Sequence, residues 1–211
     1  IATIGTRETG GAMKLNIFYA IVLTMISFSP IAKGGDEMPT AQEIIDKLDL
    51  TPLPEEGGYY RETYRSEGEK LPARTFGIDA DTGRSISTAI YYMVTADSFS
   101  AIHRIKSDEV FHFYGGDPVE MIQFDDQGNL QKIILGNDIL AGETPQVVVP
   151  KGVWQALRLV DGGRWALLGT TVAPGFEFED FEIGTREQMT ELFPHLRDDI
   201  QRFTREPGQE R

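Results

Sequence analysis

Residues 103–116 of the chain read HRIKSDEVFHFYGG, and this stretch decides how the remainder is interpreted. On both sides of the turn at Lys106–Asp108, the residue pattern is typical of short β-strands with one buried face. The alternation places His103 on the inner face of the first strand, and Glu109 with Phe111 on the inner face of the second. We therefore expect the imidazole and the carboxylate to face inward from adjacent antiparallel strands, within bonding distance of each other.

The same strand-like pattern continues along most of the chain. Nine short runs rich in β-branched and aromatic residues are separated by turns that contain Gly, Asp and Pro. The predicted strands are Tyr59–Tyr64, Ser87–Val94, Ala101–Ile105, Glu109–Tyr114, Val119–Phe124, Leu130–Leu135, Gln146–Val149, Gln155–Leu159 and Trp165–Val172. Strands at this spacing predict a sandwich or barrel, whereas a parallel α/β sheet would need long helices between them.

Short helices are predicted at both ends of the strand region. Thr40 and Glu43 form a capping-box pattern that opens a helix over residues 41–48. A second capping box begins at Thr185 and opens a helix over residues 186–193, which Pro194 then ends.

The N-terminal residues have the layout of an export signal. Met13 and Lys14 precede an uncharged and mostly apolar run over residues 15–28, and Ala32 is a candidate cleavage position. The run is short for a membrane span of about 20 residues. We predict a secreted or periplasmic protein, with a cytoplasmic protein as the alternative; an uncleaved anchor and a buried N-terminal helix also remain open.

The chain is therefore divided into three parts. Residues 1–35 are assigned to upstream residues and the signal peptide, residues 36–200 to a single domain, and residues 201–211 to a frayed C-terminal tail. No stable membrane insertion is expected after cleavage of the signal.

Composition excludes several classes of function. The formal net charge is −13, and an acidic surface repels phosphate backbones and anionic lipid headgroups, so we expect no nucleic-acid partner. The chain has no cysteine, which excludes disulfides, thiolate nucleophiles and Cys-ligated metal sites.

The pairing of His103 with Glu109 supports two kinds of chemistry. A neutral imidazole and an oxygen ligand form half a site for a divalent metal. The same pair can act as a catalytic acid–base couple. A second segment ends in the turn Pro150-Lys-Gly152, which aims Gln155 inward from the following strand, where it is a candidate substrate-binding residue.

These two segments resemble the paired motifs of the cupin superfamily. His103 matches the first histidine of the first cupin motif, Glu109 its glutamate, and the Pro150-Lys-Gly152 turn the start of the second motif. Two metal-ligand positions depart from the pattern, because Ile105 and Gln155 stand where the family has histidines. The resemblance therefore implies a degenerate candidate metal set of His103, Glu109 and Gln155.

More narrowly, the chain looks like the Cupin_5 or DUF985 family, whose function is not established. The resemblance spans about residues 42–195, and its marker segments are Pro54–Tyr64, Ser87–Tyr92, His103–Asp117, Pro145–Pro150 and Val172–Phe181. It implies an all-β jelly roll (a double-stranded β-helix) with short flanking helices. It also implies a homodimer similar in shape to sugar epimerases and seed storage proteins.

Other side chains are secondary candidates. Arg61 is a candidate substrate-binding residue that would hold an anion or hydroxyl group, or it forms a surface salt bridge. Tyr92 could stack on a ligand or belong to the core. His112 is three residues after Glu109 on the same predicted strand, so it should face the opposite side of that strand. Lys106 lies on the preceding turn and is expected to be in solvent.

Three hypotheses of function follow. The first is an isomerase, epimerase or related enzyme in which His103 moves protons and Glu109 orients it, acting on a small polar, carbohydrate-like molecule. The second is a metal-dependent enzyme that uses His103, Glu109 and Gln155 as ligands. The third is a protein that binds a small polar ligand without catalysis.

Overall fold

The computed structural model describes residues 38–206. The predicted export signal lies outside the described residues, as do residues 207–211. The described part is built mainly from β-strands with short helices at both ends, which confirms the predicted all-β class. Within residues 38–206, no helix is long and apolar enough to span a membrane.

Thirteen strands and three α-helices make up the described part. The strands are β1 (Thr51–Pro52), β2 (Tyr59–Arg65), β3 (Leu71–Pro72), β4 (Gly83–Arg84), β5 (Thr88–Thr95), β6 (Ser100–Arg104), β7 (Asp108–Gly116), β8 (Val119–Phe124), β9 (Leu130–Leu135), β10 (Gln146–Val149), β11 (Trp154–Leu159), β12 (Trp165–Ala173) and β13 (Glu182–Ile183). The helices are α1 (Ala41–Leu48), α2 (Arg186–Leu192) and α3 (Arg197–Arg202). All nine predicted strands are present, as β2 and β5 to β12.

Two antiparallel sheets form the jelly roll. One has six strands in the order β1-β2-β5-β12-β7-β10, and the other has five in the order β13-β6-β11-β8-β9. From β5 to β8 the chain alternates between the two sheets, so within this part of the chain no strand pairs with the next strand in sequence. The main core contains inward-facing residues of both sheets, among them Phe111, Met121, Leu157 and Leu168.

The strand that carries His103 is not a neighbour of the strand that carries Glu109. β6 pairs with β11 and β13, whereas β7 pairs with β12 and β10. The prediction of adjacent antiparallel strands is therefore wrong. Residues 105–107 cross from one sheet to the other instead of forming a hairpin, so His103 and Glu109 enter the interior from opposite sheets.

Helix α1 covers part of the outer face of the six-stranded sheet. Its N-terminus has the predicted capping box, in which Thr40 accepts from the backbone of Glu43 and Glu43 accepts from the backbone of Thr40. The apolar side of the helix packs with Met93 and Trp165, and the indole of Trp165 donates a hydrogen bond to the carbonyl oxygen of Pro39 at 2.7 Å.

Helices α2 and α3 cover the outer face of the five-stranded sheet. Ile102 and Trp154, from that face, belong to one apolar cluster with Met189, Ile200 and Phe203. Since Phe203 is fully buried, the chain does not fray at residue 201 as predicted. The sequence prediction missed α3, whose one buried apolar residue, Ile200, gives too weak a periodic signal.

Candidate functional site

A cavity of about 510 Å³ opens into the interior of the jelly roll. Its volume is typical of a site for a small molecule. Apolar and aromatic side chains form most of its wall, and the ionisable groups are concentrated on a few elements. The residues that carry the arguments below are Glu56, Tyr60, Arg65, His103, Glu109 and Phe181, all of which line the cavity.

His103 lies on β6 and is only 3% exposed. Its Nδ1 is 2.8 Å from the carbonyl oxygen of Ala101. A carbonyl oxygen can only accept, so Nδ1 donates, and in the neutral imidazole Nε2 is the nitrogen that bears the lone pair. The ring stacks on Phe181, with 5.2 Å between the ring centroids. The imidazole is thereby fixed with its basic nitrogen available to a ligand.

Glu109 lies on β7 and is also buried. Its Oε2 accepts a hydrogen bond of 2.7 Å from the amide Nε2 of Gln155. Burial raises the pKa of Glu109, and the nearby Glu56 adds to that rise, while His103, Gln155 and Thr170 act in the opposite direction. The site therefore contains a carboxyl group that holds its proton more tightly than an exposed glutamate does.

Gln155 is placed where the second segment predicts. Gly152 has a φ of +79°, which favours glycine at the turn, and Gln155 then pairs with His103 across the β6–β11 ladder. Its side chain is buried and donates to Glu109. Gln155 Oε1 has no hydrogen-bond partner among the residues that the structure describes.

Glu56 is the site residue that sequence reasoning missed. It belongs to residues 53–58, here called the Glu56 loop, which connects β1 to β2. Its Oε2 is 3.9 Å from Nε2 of His103, and its Oε1 accepts a hydrogen bond of 2.8 Å from the hydroxyl of Ser100. The signal that could have identified Glu56 is the Pro54–Gly58 segment, which contains it. In the sequence this segment served only as a marker of the family resemblance.

The Glu56 loop is held by contacts from distant parts of the chain. The guanidinium of Arg205 donates to the carbonyl oxygens of Glu55, Glu56 and Phe99 at 2.7, 2.9 and 3.0 Å. Glu55 has a φ of +62°, which is uncommon for a residue with a side chain. These contacts fix an unfavourable backbone conformation directly beside the site.

A second segment, residues 174–181, closes another side of the cavity and is here called the strap. Asp180 in the strap forms a buried ion pair with Arg84, whose guanidinium donates to both carboxylate oxygens at 2.7 Å. Nearer the start of the strap, Arg65 pairs with Glu177 at 3.0 Å. The strap thereby carries Phe181 against His103.

None of the three predicted substrate-binding residues lines the cavity. Gln155 contacts Glu109, which does line it. Arg61 points to the outer face of its sheet, where its guanidinium lies 5.5 Å from the ring centroid of Tyr91. Arg61 directly follows Tyr60 on β2, so its side chain points to the opposite side of the strand from Tyr60, which faces the cavity. Tyr92 is 1% exposed and donates its hydroxyl to the carbonyl oxygen of Gly57 at 2.8 Å. Tyr92 therefore supports the Glu56 loop from within the core.

The remaining secondary candidates lie outside the cavity. His112 faces outward as parity predicts, with Nδ1 at 3.2 Å from the amide of Gln146. Lys106 is about half exposed and lies 3.9 Å from Asp180.

The residues present fit a divalent metal poorly. Gln155 directs its amide nitrogen, which cannot ligate a metal, towards Glu109, and Ile105 contributes no donor atom at the second ligand position. Among residues 38–206, no three or more His, Asp or Glu side chains are grouped so that they could hold a metal ion. The geometry therefore assigns no chemical step to a metal at His103, Glu109 and Gln155.

The jelly roll, with buried polar side chains in the wall of its cavity, defines the protein as a cupin. The sequence model of Cupin_5, described as "Cupin superfamily (DUF985)", matches residues 42–184. The chain belongs to this family.

Individual relatives agree with this assignment. The chain is 33% identical over 132 residues to "Uncharacterized protein YML079W" of Saccharomyces cerevisiae; the match covers 59% of this chain and 66% of that protein, just under two thirds of its length. Among solved structures, protein SO0799 from Shewanella oneidensis has a TM-score of 0.70 and 31% identity, over 80% of this chain and 99% of that one. A hypothetical protein from Leishmania major has a TM-score of 0.71 and 30% identity, over 80% and 100%.

Proposed function

We propose that this cupin binds a small polar, carbohydrate-like molecule in its cavity and moves protons on it. The observation that carries the proposal is the pair of buried groups that line one cavity with opposite roles. His103 donates through Nδ1 to a carbonyl oxygen, so Nε2 is its basic nitrogen in the neutral ring, and Glu109 has a raised pKa and so retains a proton to higher pH. A base and an acid held apart in this way are typical of enzymes that transfer protons.

The chemistry that this pair supports is isomerisation or epimerisation. Nε2 of His103 takes a proton from a carbon next to a carbonyl group, and the protonated carboxyl of Glu109 donates a hydrogen bond to the carbonyl oxygen as negative charge develops there. Return of the proton to another carbon, or to the other face of the same carbon, completes the reaction. Burial excludes most water from this exchange. If the predicted signal acts in export, the ligand is met outside the cytoplasm.

Solvent-deuterium exchange tests this proposal. The purified protein is incubated in D2O with small aldoses, ketoses and dihydroxyacetone, and ¹H NMR follows the loss of signals from protons on carbons next to the carbonyl. We expect exchange with at least one of these compounds. His103→Ala should slow it by about 10²- to 10⁴-fold, the usual contribution of a general base. Glu109→Gln should slow it as well.

The matched control is His112→Ala, because His112 faces outward and lies away from the cavity. Exchange should continue at the parent rate in this variant. Binding of these compounds without exchange in the parent protein would contradict the catalytic part of the proposal and identify a binding protein instead.

A further inference from the structure

The cavity contains more carboxylates than its cations neutralise. Glu55 and Glu56 line it from the Glu56 loop, Glu62 from β2, Glu109 from β7 and Glu177 from the strap, whereas Arg65 is the one Lys or Arg side chain in the wall described by the structure. The guanidinium of Arg65 is already engaged, since it pairs with both Glu62 at 2.7 Å and Glu177 at 3.0 Å.

Glu56 is a carboxylate of the cavity wall that forms no ion pair with a Lys or Arg side chain of residues 38–206. Its Oε1 accepts from the neutral hydroxyl of Ser100, and Oε2 is 3.9 Å from Nε2 of His103. That distance is too long for a direct hydrogen bond. The guanidinium of Arg205 donates to backbone carbonyl oxygens of the loop and attracts the Glu56 carboxylate only at longer range.

His103 gives a second, independent sign that the cavity is built for a ligand. Its ring is 3% exposed, and Nε2 makes no hydrogen bond within residues 38–206 although it belongs to the cavity wall. A polar atom in the wall of a largely apolar cavity is completed by a ligand or by water. In the neutral imidazole, Nε2 of His103 is an acceptor that lies beside the acceptor Oε2 of Glu56.

The surrounding wall is aromatic. Tyr60 lines the cavity from β2, and Phe176, Phe178 and Phe181 line it from the strap. The faces of aromatic rings attract cations, and carboxylates in a partly buried cavity do so more strongly.

From the Glu56 carboxylate, which has no Lys or Arg partner among residues 38–206, the Nε2 atom of His103 beside it and the aromatic wall, we propose that the ligand is an organic cation. Its ammonium group donates to Oε2 of Glu56, and the carbon that bears the amine faces Nε2 of His103. The class of ligand is a small amino sugar. This inference rests on the proposed function, since it names the substrate class of the same cavity.

The raised pKa of Glu109 is consistent with this assignment. Glu56 contributes to the rise, which means that the negative charges of the two carboxylates disfavour each other in the ligand-free cavity. A bound cation would relieve that repulsion. An anionic sugar, such as a uronate, would increase it.

The test compares three probes that share one ring and differ in charge: D-glucosamine, D-glucose and D-glucuronate. Ligand-observed NMR titration at about pH 6 keeps the amine of glucosamine protonated. We expect glucosamine to bind about tenfold or more tightly than glucose, which corresponds to ~1.4 kcal/mol for one charge-assisted contact. Glucuronate should bind more weakly than glucose.

Two variants assign the preference to Glu56. Glu56→Gln keeps the size of the side chain and an acceptor for Ser100, so it should still bind glucose but lose the preference for glucosamine. Glu67→Gln makes the same change at an exposed residue outside the cavity wall and should keep the preference. Equal glucose affinity in the parent and in Glu56→Gln shows that the cavity is intact.

The outcomes separate this inference from the proposed function. If glucose binds as tightly as glucosamine, or glucuronate binds best, the organic-cation assignment is overturned while a polar-ligand site stands. A preference that survives in Glu56→Gln overturns the role of Glu56. If none of the three probes binds, both the inference and the proposed polar-ligand cavity are contradicted.

Discussion

At the scale of single residues, the charge state of Glu109 is set by where its carboxyl group lies. The side chain is 7% exposed, accepts from Gln155 and shares the cavity with Glu56. Burial raises its pKa above the ordinary value of 4.5. The folded protein therefore binds the Glu109 proton more tightly than the unfolded chain does.

This difference gives stability a defined dependence on pH. The contribution of Glu109 is fully present below the ordinary pKa and is lost as pH rises through the raised pKa of the folded state. Glu109→Gln cannot ionise and so lacks this loss. We expect the stability of the variant relative to the parent to increase from about pH 4 to about pH 8, as measured by urea unfolding across that range.

The exposed Glu67→Gln variant is the control. Its free energy of unfolding relative to the parent should change little over the same pH range. Parallel curves for the parent and Glu109→Gln would show that burial does not shift this carboxyl group.

At the scale of elements, the Glu56 loop places a carboxylate where neither sheet supplies one. Its conformation depends on Gly58, which has a φ of +72° and lies against the core. A Cβ at Gly58 would come within 2.7 Å of both the hydroxyl of Tyr92 and the carbonyl oxygen of Met93. The loop therefore needs glycine for two reasons, the positive φ and the close approach of the core.

Gly77 separates these two reasons because it has almost the same φ, +73°, but no described atom within 4 Å of a Cβ built there. Gly77→Ala should cost about 1–2 kcal/mol, the strain of the left-handed conformation alone. Gly58→Ala should cost an additional ~1–3 kcal/mol from overpacking, as measured by urea unfolding. Equal costs would mean that the loop moves away from Tyr92 and Met93 at little expense.

At the scale of the whole molecule, the cavity exists because segments far apart in sequence are fastened onto the jelly roll. The strap is attached through Arg84 and Asp180, which are 0% and 3% exposed. Hydrogen bonding to Asp180 raises the pKa of Arg84 beyond its ordinary value, so the pair stays charged. Removing Arg84 would leave the buried Asp180 with only Lys106, at 3.9 Å, whereas removing Asp180 would leave Arg84 its ion pair with Glu179 at 2.8 Å.

We therefore expect Arg84→Met to cost ~3–5 kcal/mol in urea unfolding, and Asp180→Asn to cost less, because Arg84 keeps its pairing with Glu179. The double variant should cost clearly less than the sum, because it leaves no unpaired buried charge. Costs that add within about 0.5 kcal/mol would indicate that the two residues act independently.

The sequence predicted the strands and their inner faces well. Alternation assigned His103, Glu109 and Gln155 to the interior, and the structure has all three buried. It also assigned His112 to the outer face. Such predictions succeed because side chains alternate along a strand whatever that strand pairs with.

Sequence reasoning failed where pairing between distant segments decides the outcome. His103 and Glu109 were expected on neighbouring strands, but β6 and β7 belong to opposite sheets. Arg61 was expected to bind ligand, but the register and parity of β2 turn it towards Tyr91. For Tyr92 the sequence left ligand contact and the core open, and the structure has it in the core, where its hydroxyl donates to the carbonyl oxygen of Gly57.

The sequence by itself determined an all-β fold and three inward polar residues, because turns and alternation are local properties of the chain, and its resemblance to a family implied the cupin type of that fold. Only the tertiary structure decided that Glu56 lies 3.9 Å from His103 and that Arg205, 150 residues beyond Glu55, holds the loop that carries it. These contacts depend on how two sheets, a loop and the C-terminal segment pack against one another. The hydrophobic periodicity of a single segment contains no information about that packing.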